Sequence, residues 1–319
     1  MTKLNSTVKP EQYQALFKDL AGALQDHLEL NAEIDEAKVR AIVDNAVAEA
    51  RLPHSLNVSV NGGPTVRIEG RVHNQFQPLI GLIAEGHRNI LMVGPAGSGK
   101  TTLAKDVARA MDLDFGFISL SAGVTETHLF GRMLPKADGT WGYVESPFVR
   151  IYRNGGVYLL DELDAADGNV MVSVNAALAN GVLCNPVTGE VVNRHERCYI
   201  IAAANTWGRG GDHQYVGRNA LDAATMDRFV LCTLSILYDT DLESELVRAV
   251  VTAAQADELI GWVTGLRDRI TDNHLRRIAS TRLLVNGAAA MKAGGNLADV
   301  VHRYLLDWSR DELAKIAGV

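Results

Sequence analysis

The sequence predicts an α/β domain on a mostly parallel sheet, preceded by a helical segment and followed by an all-helical one. Three observations carry this. Between Asn89 and Tyr238 five short, nearly unbroken apolar runs alternate with helical segments: "NILMV", "FGFISL", "GVYLL", "YIIAAA" and "VLCTLSIL". Runs of that length and continuity are expected of parallel strands covered on both faces. After about Asp239 the strand pattern stops and four helical runs follow, "LESELVRAVVTAA", "ELIGWVTGLRDRI", "STRLLVNGAAAMKAG" and "LADVVHRYLLDWSRDELAKIA". Before the strands, Tyr13, Leu16, Leu20, Leu24 and Leu28, then Val39, Ile42, Val43, Ala46 and Val47, recur at helical spacing, with "LNAEIDE" between them. The predicted organisation is a helical region 1–55, an α/β domain 56–238 and a helical domain 239–319. Within it, "NVSVNGGPTVRIEG" alternates about Asn61-Gly62-Gly63-Pro64, a β-hairpin pattern.

Composition sets outer bounds. At 319 residues, with 47% hydrophobic and 22% charged residues, the chain can bury two or three cores. No apolar run approaches the ~18–20 residues of a membrane span, and "MTKLNSTVKPEQYQ" has no apolar signal core, so a cytoplasmic protein without membrane attachment is expected. Cys184, Cys198 and Cys232 lack metal-site spacing and are expected to be buried thiols. The net charge of -7 lacks the global basic footprint of a nucleic-acid binder.

The chemistry begins at "GPAGSGKTT", which fits the phosphate-loop pattern G-x-x-x-x-G-K-S/T. The loop Gly94, Pro95, Ala96, Gly97, Ser98 and Gly99 would cradle the phosphates, its glycines letting backbone N–H groups close on phosphate oxygens. Lys100 would reach the outer phosphates, and Thr101, beside Thr102, would bind Mg²⁺. The motif follows the Asn89–Val93 run and opens the helical "TLAKDVARAM", the arrangement it requires. In "GGVYLLDELDAAD" four apolar residues end in Asp161-Glu162, two carboxylates at the strand edge where open α/β sheets bind ligands. Asp161 is placed to hold the Mg²⁺ shell and Glu162 to polarise an attacking water. A third run ends at Asn205, whose amide could bond that water or the γ-phosphate, or start a turn.

In their order along the chain these motifs resemble the AAA+ ATPases: Lys100, Asp161-Glu162, a first sensor at Asn205, "DRF" at Arg228, and "STRLL" at Arg282. The resemblance covers about residues 72 to 319. It implies ATP hydrolysis with Mg²⁺ on a P-loop AAA+ core, a five-stranded parallel sheet followed by an all-α lid, with the helical region as an N-terminal extension. "HLFGRMLPKADGTWGYVESPFVRIYRNGG" resembles the helix-2 insert, and "GVLCNPVTGEVVNRHERC" the pre-sensor hairpin, of the MoxR and dynein-related branch, which includes the cobalt chelatase ATPase subunit and many phage-encoded relatives.

In that family the arginine matching Arg228 enters a neighbour's nucleotide site. The resemblance therefore implies a homo-oligomeric ring, six subunits by family precedent. Arg218 in "YVGRNA" is a second candidate for a contact across the interface, and Arg282, matching the second sensor, is open between its own subunit and the next. Three functional readings stand: a MoxR-like remodeller of a protein client, often with a von Willebrand A domain partner; a DNA-directed motor or loader; and a nucleotide-gated scaffold. Trp141 and Tyr143 could grip a substrate or pack their own hairpin, and Asn193–Arg197 is a basic patch open between nucleic acid and solvent. The scaffold reading has no use for Glu162 and Arg228 together. A P-loop kinase does not call for Asn205, Arg228 and Arg282 in this order, and no Asn-Lys-x-Asp motif marks a GTP switch.

Overall fold

The computed structural model describes residues 5–6, 55–59 and 65–317. The two helical runs expected between residues 10 and 51 lie outside them. The chain divides into two compact units, Met1–Arg71 and Val72–Val319. In the first, strands β1 (Asn5–Ser6), β2 (Ser55–Val58) and β3 (Val66–Glu69) form an antiparallel sheet in that order, with Val58 opposite Val66.

The second unit opens with helix α1 (Phe76–Ala84), then β4 (Asn89–Val93), α2 (Lys100–Ala110) and β5 (Phe115–Ser119). The insert follows. A short α3 (Glu126–Phe130) gives way to the hairpin β6 (Arg132–Pro135) and β7 (Trp141–Val144), and α4 (Pro147–Asn154) resumes the helical layer. Next come β8 (Gly156–Asp161), α5 (Gly168–Asn180), the hairpin β9 (Val182–Cys184) and β10 (Val191–Asn193), β11 (Cys198–Ala204), α6 (Ala223–Asp227) and β12 (Thr233–Ser235).

Strands β12, β4, β11, β8 and β5 form one five-stranded sheet in that spatial order, every pair parallel. The chain passes from β4 to β5 across two strands that it fills later, so the carboxyl ends of β4, β11 and β8 line one edge: Val93 pairs with Ala204, and Ala202 with Leu160. A crevice at that edge is where such sheets bind ligands.

Central strands match their sequence pattern. Val157–Leu160 and all of Cys198–Ala204 are buried, and one core of Phe130, Phe148, Tyr152, Tyr158 and Phe229 packs on that side of the sheet. The two outer strands correct the expectation of cover on both faces. Phe117 in β5 is exposed, and β12 spans only three residues, with Val230, Leu231 and Leu237 exposed around it. Edge strands border one neighbour, so their apolar runs carry side chains that no helix covers.

The helical end is also corrected, from four helices to five: α7 (Thr240–Arg248), α8 (Ala253–Asp272), α9 (Thr281–Lys292), α10 (Leu297–Tyr304) and α11 (Arg310–Ile316). The final apolar run is interrupted because Ser309 and Glu312 form a reciprocal capping box that starts α11. Thr252 and Gln255 do the same for α8, so Ala253 and Ala254 belong to that helix and not to the preceding one. Leu259, Trp262, Leu266, Leu284 and Trp308 contribute to a separate apolar core for this bundle. Within it the nearly buried Glu243 accepts two bonds from Arg267, at 2.7 and 2.8 Å, and one from Thr281 Oγ1. That pairing anchors the start of α9, where Arg282 sits. Among the described residues no helix is long and apolar enough to cross a membrane. Cys198 and Cys232 are buried as expected, whereas Cys184, on the edge of the second hairpin, is exposed.

Candidate nucleotide site

The phosphate loop joins β4 to α2 at the sheet's carboxyl edge. Gly94 donates to Ala204 O at 3.1 Å, and a Cβ there would meet Ile236 O at 1.9 Å, so only glycine lets the two backbones approach. At Gly97, φ is +75° and a Cβ would meet Ser280 Cβ at 2.6 Å, so the loop lies against the residue preceding α9. Gly99, also left-handed, precedes the first residue of α2, leaving the helix's N-terminal N–H groups at the loop.

Lys100 is nearly buried. Its ammonium donates to Gly94 O (2.8 Å), Pro95 O (2.9 Å) and Asn205 Oδ1 (3.0 Å). Burial brings its pKa down to about 8, against the opposing pull of Asp161 and Asp164; Arg282 and Arg218 add to the lowering. Phosphate oxygens beside the ammonium would favour its charged form and raise that pKa. At pH 8 ATP binding is therefore expected to take up about half a proton, and affinity to weaken by up to about tenfold per pH unit above that. Calorimetry in buffers of different ionisation enthalpy measures this; at pH 6, where Lys100 is already charged, its share of the uptake vanishes.

Thr101 Oγ1 donates to Asp161 Oδ2 at 2.9 Å, so a hydroxyl and a carboxylate converge at the start of α2. This donor pair fits Mg²⁺, a hard cation held by few protein oxygens and completed by phosphate and water. Thr102, the next residue, is exposed on α2. Ser98 Oγ is buried in the loop without a hydrogen-bond partner, an unusual arrangement for a hydroxyl.

Glu162 follows in the left-handed region, φ 57° and ψ 43°, a strained conformation that turns the chain off the strand end. Its carboxylate accepts from Arg218 Nη1 at 3.3 Å and stays accessible, the side chain being 42% exposed. Asn205 reaches the site from the end of β11, its amide oxygen on Lys100. Arg282 lies on the same chain's loop, its Cγ 3.9 Å from the position of a Gly97 Cβ. Arg228 is placed elsewhere: it ends α6, pairs with Asp227 at 3.7 Å, and its Nε is buried without a hydrogen bond.

Sequence reasoning missed Asp164 and Tyr215. Asp164 is fully buried and its Oδ2 accepts from Asn205 N, Thr206 N and Thr206 Oγ1 at 2.9–3.1 Å, so it fixes the turn that presents Asn205. Its only sequence signal is a third acid in "DELD". Tyr215 Oη accepts from the loop's Ala96 N at 2.8 Å, a contact over 119 positions with no local signature. The hairpin residues also resolve. Tyr143 packs, donating to Phe130 O and accepting from Asn185, while Trp141 is exposed. In the basic patch, Arg194 donates to Asn89 Oδ1 and to Arg88 and Cys198 carbonyls, and the exposed Arg197 donates to Met111 O.

Sheet order, phosphate loop, acidic strand end and the Asn205–Lys100 contact define the class of the α/β domain: a P-loop nucleotide-binding fold. Residues 89–229 match the family described as AAA domain (dynein-related subfamily), a span that includes Lys100, Asp161, Glu162, Asn205 and Arg228. Similar curated proteins include several from staphylococci that are named only as uncharacterized. One from Staphylococcus saprophyticus is 28% identical over 56% of this chain and 65% of its own length; one from Staphylococcus haemolyticus is 25% identical over 67% and 78%. This chain thus spans slightly under two thirds of the first relative. A crystal structure of a candidate ATPase from Cytophaga hutchinsonii aligns over 77% of this chain and 81% of that one, with 18% identity and a TM-score of 0.43.

Proposed function

We propose that the chain is a cytoplasmic, ring-forming ATPase of the MoxR-like kind, a hexamer by family precedent, that uses Mg²⁺ and ATP to remodel a protein or protein complex. The observation that carries this reading is the split of the catalytic set. Lys100, Asp161, Glu162, Asn205 and Arg282 gather on one chain's loop, whereas Arg228 pairs with its own neighbour, Asp227. A cation beside exposed Val230 and Leu231 suits a surface that another copy covers.

In this reading the Gly94–Thr102 loop and the α2 N-terminus hold the phosphates, and Lys100 exchanges its carbonyl partners for phosphate oxygens. Thr101 and Asp161 would hold Mg²⁺, whose charge would offset that of the phosphates. Glu162 takes the proton of the attacking water, Asn205 orients that water or the γ-phosphate, and Arg282 couples the lid to the nucleotide in its own subunit. Arg228 of each subunit stabilises charge on the phosphoryl group held by the next.

The protein client is favoured over DNA on two grounds. Arg194 and Arg197 donate to backbone carbonyls, which restrains the core of the basic patch against reaching a phosphate backbone. The insert hairpin instead exposes Met133, Leu134, Trp141 and Val144, an apolar grip suited to peptide. A partner with a von Willebrand A domain would fit the same branch. Steady-state ATPase activity with and without single- and double-stranded DNA, across a salt series, tests this. Indifference to DNA is expected; stimulation that fades steeply with salt would make the chain a DNA motor.

A further inference from the structure

We infer that Arg218 is a positioning residue that acts inside its own subunit, setting where the Glu162 carboxylate rests, and that the segment carrying it ties Glu162 to both the phosphate loop and the lid. The inference rests on the reading of Glu162 as the water-activating base.

The segment runs from Asn205 to Leu221, between β11 and α6. Its base is closed by Leu221 N donating to Gly208 O at 2.9 Å and by an antiparallel bridge between Arg209 and Ala220. Asp212 Oδ1 accepts from Gln214 N and Tyr215 N, folding the tip into a tight turn. From this frame contacts reach three parts of the site. Tyr215 Oη accepts from Ala96 N of the phosphate loop at 2.8 Å. On the lid, Gln214 Nε2 donates to Arg277 O at 3.3 Å, and the His213 and His274 rings meet at 6.3 Å. Toward the acidic strand end, Asn219 donates to Asp164 O (2.7 Å) and Ala166 O (3.0 Å), and Arg218 faces Glu162.

The carboxylates around Arg218 differ in kind. Asp164 is fully buried, and its Oδ1, which has no hydrogen bond, lies 3.6 Å from Arg218 Nη1. Glu162 Oε2 lies 3.3 Å from the same nitrogen on a side chain that is 42% exposed. Swinging Arg218 out toward another subunit would take from the buried Asp164 Oδ1 its ion-pair partner, which is unfavourable. Moving Glu162 leaves both partners compensated, one by water and the other by Asp164. Arg218 is therefore the fixed member and Glu162 the movable one. Arg218, 15% exposed, contrasts here with Arg228, whose partner Asp227 is an exposed surface acid. A guanidinium held on a buried carboxylate orients Glu162 as a hydrogen-bonded partner orients a catalytic base.

The test compares the full-length wild type with Glu162→Gln, Arg218→Gln and Arg218→Lys, and with mixtures of each Arg218 variant and Lys100→Ala. Arg218→Gln is expected to lower kcat by about tenfold to a hundredfold while KM stays within about twofold, the signature of a displaced catalytic group. Arg218→Lys should restore part of the rate. Mixtures with Lys100→Ala should give no more than the sum of their parts, because neither subunit then holds a complete set in cis. Recovery in the mixtures would assign Arg218 to the neighbouring site and overturn the inference, as would an unchanged or raised kcat in Arg218→Gln. If Arg218→Gln does not fold, Arg218→Lys keeps the charge on Asp164 and carries the same test: kcat lowered, KM held and no recovery on mixing. Turnover that survives in Glu162→Gln would show instead that the reading of Glu162 had failed.

Discussion

Glu162→Gln is expected to bind ATP as the wild type does and to lose turnover by about 10²–10⁴, the usual contribution of a positioned general base. The amide keeps the size of the carboxylate and one oxygen that can accept from Arg218, but it cannot take the proton of the water. The Glu162 side chain is 42% exposed and its carboxylate is held by Arg218, so an isosteric amide should leave the fold intact. The neighbouring carboxylate does not replace it: Asp161 is engaged by Thr101 Oγ1 and by Glu162 N. Single-turnover hydrolysis alongside binding of a fluorescent nucleotide separates the two effects. Binding retained with turnover within tenfold of wild type would remove Glu162 from the water-activating role.

Arg228→Ala is expected to cost about 10³-fold or more in kcat, within the range of arginines that reach a transferring phosphoryl group. Stability should change little. The Arg228 pair with Asp227 involves an exposed acid, and such pairs contribute about 0–1 kcal/mol. A large loss of rate with an unchanged melting temperature is hard to reconcile with a structural arginine. An unchanged rate would return Arg228 to that ordinary role.

Much of this was legible in the sequence, for reasons that differ between elements. Strands β4, β8 and β11 were read from unbroken apolar runs because helices cover both their faces, and Val157–Leu160 is buried throughout. The same rule overread β12, where Leu231 and Leu237 stay exposed at the sheet edge. Apolar composition reports that a side chain prefers cover, not which neighbour supplies it. The phosphate loop and Asp161-Glu162 were readable because backbone geometry forces local spacing: glycines where backbones touch, carboxylates where a strand stops. Helix starts in the lid were also written locally, in Thr252–Gln255 and Ser309–Glu312, but apolar periodicity ran through them and masked the breaks. Contacts made by tertiary folding left no local signal. Tyr215 on Ala96, Arg218 on Asp164, and Arg194 on Asn89 each join residues more than fifty positions apart, and no pattern in one segment records the other.

In the proposed ring each nucleotide site would be completed by a neighbouring subunit. The most direct test of this mixes Arg228→Ala with Lys100→Ala, each inactive alone. A site in the Arg228→Ala subunit has its own phosphate loop and can receive an intact Arg228 from a Lys100→Ala neighbour. ATPase activity is therefore expected to reappear on mixing and to vary with the ratio of the two proteins, peaking between the pure ones. Activity no greater than the sum of the separate variants at every ratio would contradict a site shared between subunits and place Arg228 outside the reaction.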